Sequence, residues 1–148
     1  MAAEASLGRD RYAFVRESAP ADGRIDAAML APEHSERYAR HLRLPEVGAR
    51  GQERLLTAAA RIVGSGRAAE EAALYLCAAG VGRLVLEPAL RETLGERLAE
   101  LNPDVRLVDG AVGALEVAPQ TPERRADGAR AALDALVALS GARLERTA

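Results

Sequence analysis

Between residues 59 and 87 a strand, a glycine turn, a helix and a second strand follow one another directly. That order limits what the chain can fold into more than any other part of it. Ala59-Ala60-Arg61-Ile62-Val63 is short and apolar, and Gly64-Ser65-Gly66 breaks it. Arg67 to Ala79 then carries Ala69, Ala72, Ala73, Tyr75 and Leu76 at helical spacing, which predicts one apolar stripe. Gly80 stands where a helix ends in the left-handed conformation. Val81 to Leu86 reads as the second strand and closes on Glu87. The unit is a βαβ crossover between parallel strands, expected to be right-handed.

The flanks extend this unit. Residues 1–33 are rich in Ala, with Pro20, Gly23 and Pro32, and read as a flexible N-terminal arm. Within it only Tyr12-Ala13-Phe14-Val15 has the pattern of an edge strand. A helix is expected from Pro32, with Tyr38, His41 and Leu42 at helical spacing, until Pro45 and Gly48 stop it. A second short helix covers Ala49 to Ala58. After Glu87, Pro88 interrupts. A helix then runs from Leu90 to Leu101 with Leu94, Leu98 and Leu101 as its seam, and Asn102-Pro103 ends it. Val105 to Val108 is a third strand, and Val112 to Val117 a weaker fourth. Ala126 to Leu139 is the last helix, with Ala129, Leu133, Leu136 and Leu139 on one side. The expected fold is α/β: a Rossmann-like, partial doubly wound parallel sheet of three to four strands, an N-terminal helix pair and a C-terminal helix. The arm occupies 1–33 and a truncated nucleotide-binding-like domain occupies 34–148.

Composition narrows the function classes. Aromatic residues are 3% of a chain that is 49% apolar, so the core is built from Ala, Leu and Val. Small side chains bury little area each, at roughly 25 cal/mol per Å². Such a domain gains from a dimer interface or a partner. The net charge of −2 supplies no basic field for nucleic acid. All 20 basic residues are Arg, so a P-loop lysine, a Schiff-base lysine and a lysine general base are excluded. The single Cys77 forms no disulfide framework or CxxC zinc pair, which fits a cytoplasmic location, and zinc is not expected. Nor is a membrane span expected, because no apolar run approaches about 18 residues. Cys77 falls among the core positions of its helix, where a thiol packs as a small hydrophobe. His41 shares a side with Tyr38 and reads as structural, His34 as solvated. Arg37, Arg40 and Arg43 recur every three residues, as a solvated face beside Glu33 and Glu36 or as a stripe that reaches phosphate or a partner.

The glycine turn carries the chemistry. Gly64-x-Gly66-x-x-Ala69 fits the G-x-G-x-x-G/A dinucleotide fingerprint, after a strand and opening a helix. The first glycine permits the turn, the second lets a phosphate approach the backbone, and the third small residue lets helix and strand pack. Free amides and the helix dipole near Arg67 suit an anion, and Glu87 stands where an acid bonds a ribose hydroxyl. Against this, glycines are needed at any tight βα turn. Glu70 and Glu71 in the first helical turn also repel phosphate.

Two stretches together carry a family resemblance. Residues 37–56 read RYARHLRLPEVGARGQERLL and residues 60–87 read ARIVGSGRAAEEAALYLCAAGVGRLVLE. An RY-x-RH-x-x-LPE-x-G-x-x-GQ helix pair directly before a glycine-turn strand resembles the ThiF/MoeB/HesA family of ubiquitin-activating-like adenylyltransferases. Arg97 to Val105, RLAELNPDV, is similar to that family's next helix and strand entry, so the resemblance spans most of 36–108. It implies a doubly wound domain, usually dimeric, that uses ATP and Mg to adenylate the C-terminal glycine of a ubiquitin-like protein. By resemblance, Gly64, Gly66, Arg67 and Ala69 line the phosphate turn. Glu87 matches the ribose acid, normally Asp. Arg40 matches an arginine that reaches the partner subunit's ATP phosphates.

The sequence departs from the family's pattern at the points that matter for chemistry. The family's turn is G-x-G-G-L-G; here it is Gly64-Ser65-Gly66-Arg67-Ala68-Ala69. The family continues with D-x-D, S-N-L-x-R-Q and a lysine, whereas Glu87-Pro88-Ala89 runs straight into a helix. The strand bearing the Mg-binding aspartate is expected beyond the last residue, and no loop cysteine offers a thioester or persulfide. Losing one donor to a charged transition state typically costs about 10²–10³ in rate. The resemblance therefore implies a degenerate, non-catalytic domain that binds a nucleotide or a partner, as a homodimer or with a full-length family member. The alternative is an ATP-dependent adenylyltransferase acting on the C-terminal Gly of a ubiquitin-like sulfur carrier with parts borrowed from a partner subunit.

Overall fold

A computed structural model describes residues 30–142. Four helices and four strands build the domain, preceded by two short helical turns. The turns are α1 (Pro32–Arg37) and α2 (Ala39–Leu42). Then come α3 (Gly48–Thr57), β1 (Ala59–Ile62), α4 (Arg67–Ala79), β2 (Arg83–Leu86), α5 (Pro88–Leu101), β3 (Arg106–Leu107), β4 (Leu115–Val117) and α6 (Arg125–Ser140). The edge-strand pattern at Tyr12–Val15 and most of the expected arm lie outside the described residues.

All pairings are parallel, in the order β3-β2-β1-β4. Ala60 stands level with Leu84 and Leu115, and Ile62 with Leu86 and Val117. Chain order runs outward from β1 through β2 to β3 and then jumps to the far side of β1. That reversal is the hallmark of doubly wound sheets, and the expected α/β architecture is present.

The helices form one layer. α4 lies against α5 and α6, and α3 against α6. Ala60, Ile62, Leu84, Leu86 and Val117 point into this layer and join the main core. The alternate positions point the other way, and there Arg61, Arg83, Arg106 and Glu116 are exposed. A parallel sheet buried on both faces reads as a continuous apolar run. Here charge stands at some of the alternate positions, Arg61, Arg83, Arg106 and Glu116, while Ala59 and Val85 are buried there.

The alanine content has a packing consequence. Ala68, Ala69, Ala72 and Ala73 of α4 are buried against Ala132 and Ala135 of α6. With so little between them the two backbones nearly touch: a Cβ on Gly128 would lie 2.0 Å from the Ala68 carbonyl oxygen. Only glycine fits there.

Four local expectations are corrected by this close approach and by the caps. Tyr75, Leu101 and Leu133 are about half exposed, because α4 and α6 meet through their alanines and α5 buries Leu90, Leu94 and Leu98. The helix expected from Leu90 starts two residues earlier: Pro88 is the first residue of α5, where the missing N–H has no partner to lose. The helix expected from Pro32 breaks at Tyr38, so Arg37, Arg40 and Arg43 do not form one continuous stripe. The expected strands shorten, β3 to two residues and β4 to three.

Candidate functional site

The glycine turn sits at the carboxyl end of β1. Gly64 adopts φ +95, a left-handed value that a side chain disfavours, and this permits the turn. A Cβ there would lie 3.9 Å from the Ala69 methyl group, so the small residue at the third position does let the turn settle on α4.

Two donors of this turn, the Gly64 and Ala68 N–H groups, have partners within the chain. The Gly64 N–H donates to Glu87 Oε1 at 3.0 Å. The Ala68 N–H, in the first turn of α4, donates to the Pro122 carbonyl at 2.9 Å. Gly66 packs under the same loop: a Cβ on it would lie 2.8 Å from the Pro122 oxygen and 3.2 Å from Glu123 Oε1. Its small size is therefore explained by the segment that leads into α6. Arg67, Glu123 and Glu87 are exposed around this point. The helix N-terminus thus faces a carbonyl and a carboxylate, the two group types that an anion would replace.

A cavity of about 380 Å³ opens beside Glu87 on the charged face of the sheet. Arg61, Val63, Val85, Glu87, Arg91 and Asp109 line it. Arg91 is paired with Asp109 at 2.7 Å. Of the expected site residues, the structure brings Gly64, Gly66, Arg67, Ala69 and Glu87 together. Arg40 is not among them; it is exposed on α2. Arg61 and Arg91 were not picked out from the sequence. The alternation of Arg61 with Ala60 and Ile62 was the signal that could have found the first.

The rest of the helix-pair motif has a structural role. Tyr38 is buried, and its hydroxyl donates to Asp104 Oδ2 at 3.0 Å while accepting from Asn102 Nδ2 at 2.8 Å. Asn102 Nδ2 also donates to the Cys77 carbonyl at 2.9 Å. Arg37 donates to Asp104 at 2.6 Å, and His34 Nε2 stands 3.5 Å from the same carboxylate. Arg37 is exposed, as a solvated face requires, and also bonds Asp104, while His34 stands beside the same carboxylate. The Asp104 carboxylate raises the Arg37 pKa further, chiefly through this hydrogen bond. Burial, above all, raises the Tyr38 pKa. Gln52 is fully buried, donates to the Ala79 carbonyl at 3.0 Å and meets His41 Nδ1 at 2.7 Å. With Gln52 Oε1 as acceptor, His41 carries its proton on Nδ1. Arg37, Tyr38, His41 and Gln52 therefore clasp the helix pair to the end of α4 and the α5–β3 turn.

Cys77 is fully buried, and its thiol donates to the Leu98 carbonyl at 3.4 Å. Burial pushes its pKa up to about 11. That suits a core thiol and opposes thiolate chemistry. Among the described residues no group of three or more His, Cys, Asp or Glu is gathered for a metal ion. No helix among them is long and apolar enough to cross a membrane.

A parallel sheet in this order, with a glycine turn after its first strand and an acid at the end of its second, defines a Rossmann-like α/β domain. Comparison with known proteins narrows the class. The chain is 41% identical over 85 residues to the heterocyst protein HesA of Trichormus variabilis, covering 57% of this chain and 30% of that protein. It is 43% identical over 86 residues to the adenylyltransferase and sulfurtransferase MOCS3 of Bos taurus, 58% of this chain and 18% of that one. It is 43% identical over 58 residues to the Mycobacterium tuberculosis protein MoeZ, 39% of this chain and 15% of that one. No family model matches the chain. The matched stretch is homologous to ThiF/MoeB-type adenylyltransferases, and the domain is related to theirs. The chain spans less than a third of the length of these relatives.

Proposed function

We propose that this chain is a degenerate ubiquitin-like-modifier-activating domain that does not itself activate ATP and serves as a partner-binding subunit. One observation carries the reading. The Pro122 carbonyl accepts from the Ala68 N–H, and the Glu123 carboxylate stands over Gly66, so one amide of the helix start and the space above the second glycine are taken by the chain's own loop. A carboxylate a few ångströms from a phosphate opposes it by about 1–4 kcal/mol between bulk-water and surface dielectric values. The exposed Arg67 offsets part of that charge, and no lysine is present to add to it. The helix pair at 36–56 is the surface offered to a second subunit, either another copy or a full-length relative.

The test is ATP–pyrophosphate exchange by the purified chain, with calorimetric titration of ATP, AMP and NAD. Neither exchange nor saturable heat up to millimolar ligand is expected. Exchange by the chain alone would overturn the reading. Exchange that appears only with a full-length relative, and is lost with Arg40→Ala, would establish the borrowed-parts adenylyltransferase instead.

A further inference from the structure

Three arginines are gathered on the face of the sheet turned away from the helix layer. Arg83 of β2 stands level with Arg106 of β3, and Arg61 of β1 lies one step further along, level with Val85 and Glu116. Level residues on neighbouring strands are about 4.8 Å apart at the backbone. Like charges placed directly opposite one another in this way destabilise a sheet. All three arginines are exposed, and none of them is in an ion pair among the described residues. Arg83 donates to the Thr57 carbonyl at 3.3 Å, a neutral acceptor. Glu116 is level with Arg61, yet the two form no salt bridge.

Packing does not ask for this crowding of charge. Arginine stems help to shield Ala59 and Val85, which are buried on the same face. Any long side chain would do the same, so three positive charges are not needed for it. The carboxylates at the end of the face are also engaged: Glu87 accepts from the Gly64 N–H, and Asp109 pairs with Arg91. Arg61 therefore stands in the wall of the cavity described above as a cation without a counterion among the described residues. The occupant that such a patch selects is acidic. Two observations favour a protein over nucleic acid. The chain as a whole is at −2, so a long polyanion is attracted here and repelled elsewhere. Val63, 38% exposed at the same cavity, offers an apolar contact that a sugar-phosphate backbone does not use.

We propose that this face docks an acidic segment of a partner protein, whose carboxylates pair with Arg61, Arg83 and Arg106. The inference rests on the partner-binding reading and names the partner's chemistry. Its test reads the sheet face, whereas the exchange assay reads the glycine turn, so the two fail separately. Fluorescence anisotropy of a labelled oligoglutamate peptide, titrated with the full chain at low salt, provides the test. Saturable binding is expected, weakened about tenfold by Arg83→Gln/Arg106→Gln and weakened again by added salt. Arg97→Gln, at an exposed position of α5, is expected to bind as the native chain does. Urea unfolding separates docking from a structural role. Arg106→Gln removes a like-charge neighbour, so its midpoint is expected to equal or exceed the native one. A lower midpoint makes Arg106 a structural residue and overturns the proposal. No saturable binding up to millimolar protein, or unchanged binding in the double variant, overturns it as well. An equal loss with Arg40→Gln/Arg43→Gln overturns it by moving the site to the helix pair. Tighter binding of a labelled oligouridylate of the same charge overturns it in favour of nucleic acid.

Discussion

The Pro122 carbonyl accepts a hydrogen bond from the Ala68 N–H at 2.9 Å, and Gly66 lies directly beneath the same oxygen. The second glycine of the fingerprint is therefore a packing residue. Gly66 has φ −82, which any residue adopts, so a substitution there tests space alone. Gly66→Ala would bring a Cβ to 2.8 Å from a backbone oxygen. The expected result is a loss of about 1–3 kcal/mol, the usual range for overpacking, measured by urea unfolding in the absence of any ligand. An unchanged midpoint would mean that the loop moves aside freely and the turn is available to an anion.

The clasp around Tyr38 predicts a second set of outcomes. Tyr38→Phe removes the hydroxyl that joins Asn102 to Asp104 and leaves buried partners short of a bond, at about 1–3 kcal/mol. Gly80→Ala should cost more. Its φ is +88, and a Cβ would stand 2.7 Å from the Tyr38 ring. Combining the two changes should give less than the sum, since both act on the same contact. Thermal or urea unfolding of the two single variants and the double variant measures this.

How far the sequence spoke depended on how local the cause was. The βαβ unit was legible almost to the residue, with α4 spanning Arg67–Ala79 as expected, because glycines and a helical run fix it locally. The seams of α4, α5 and α6 were less legible. Periodicity favours large side chains, yet Gly128 over Ala68 brings α4 and α6 so close that alanines take the core and Leu133 and Tyr75 turn outward. The site divided in the same way. Gly64 and Glu87 could be placed from spacing, and the structure joins them by a hydrogen bond. The Pro122–Glu123 cover could not, because a contact across more than fifty residues leaves no trace in local pattern. Asp104 escaped notice for the same reason, although it binds Arg37 and Tyr38 from 66 to 67 residues away.

Alkaline pH should weaken the fold through Cys77. Its folded pKa of about 11 lies above the ordinary thiol value near 8.5. A raised folded pKa means that the contribution is complete below the unfolded value and is lost as pH rises through the folded one. The stability of the native chain should therefore fall by about 2 kcal/mol between pH 8.5 and 10.5. Tyr38, also raised, adds to the fall at the upper end. Cys77→Ala offsets the baseline and should flatten the slope. Urea unfolding at a series of pH values separates the offset from the slope.

Arg37 and Arg40 stand three residues apart and should answer differently to the same substitution. Arg37 bonds the Asp104 carboxylate at 2.6 Å, where Tyr38 and His34 also converge. Arg37→Ala leaves that carboxylate, 16% exposed, without its strongest donor. The expected cost is about 1 kcal/mol, at the top of the range for partly exposed ion pairs. Arg40 is exposed, so Arg40→Ala should fall within about 0.5 kcal/mol of the native chain. Any function it has must then lie outside the fold of its own subunit. Analytical ultracentrifugation with a full-length relative, run on both variants, separates the two roles. Weakened association with Arg40→Ala at unchanged stability would place Arg40 at an interface. The same loss with Arg37→Ala alone would trace to the loosened clasp.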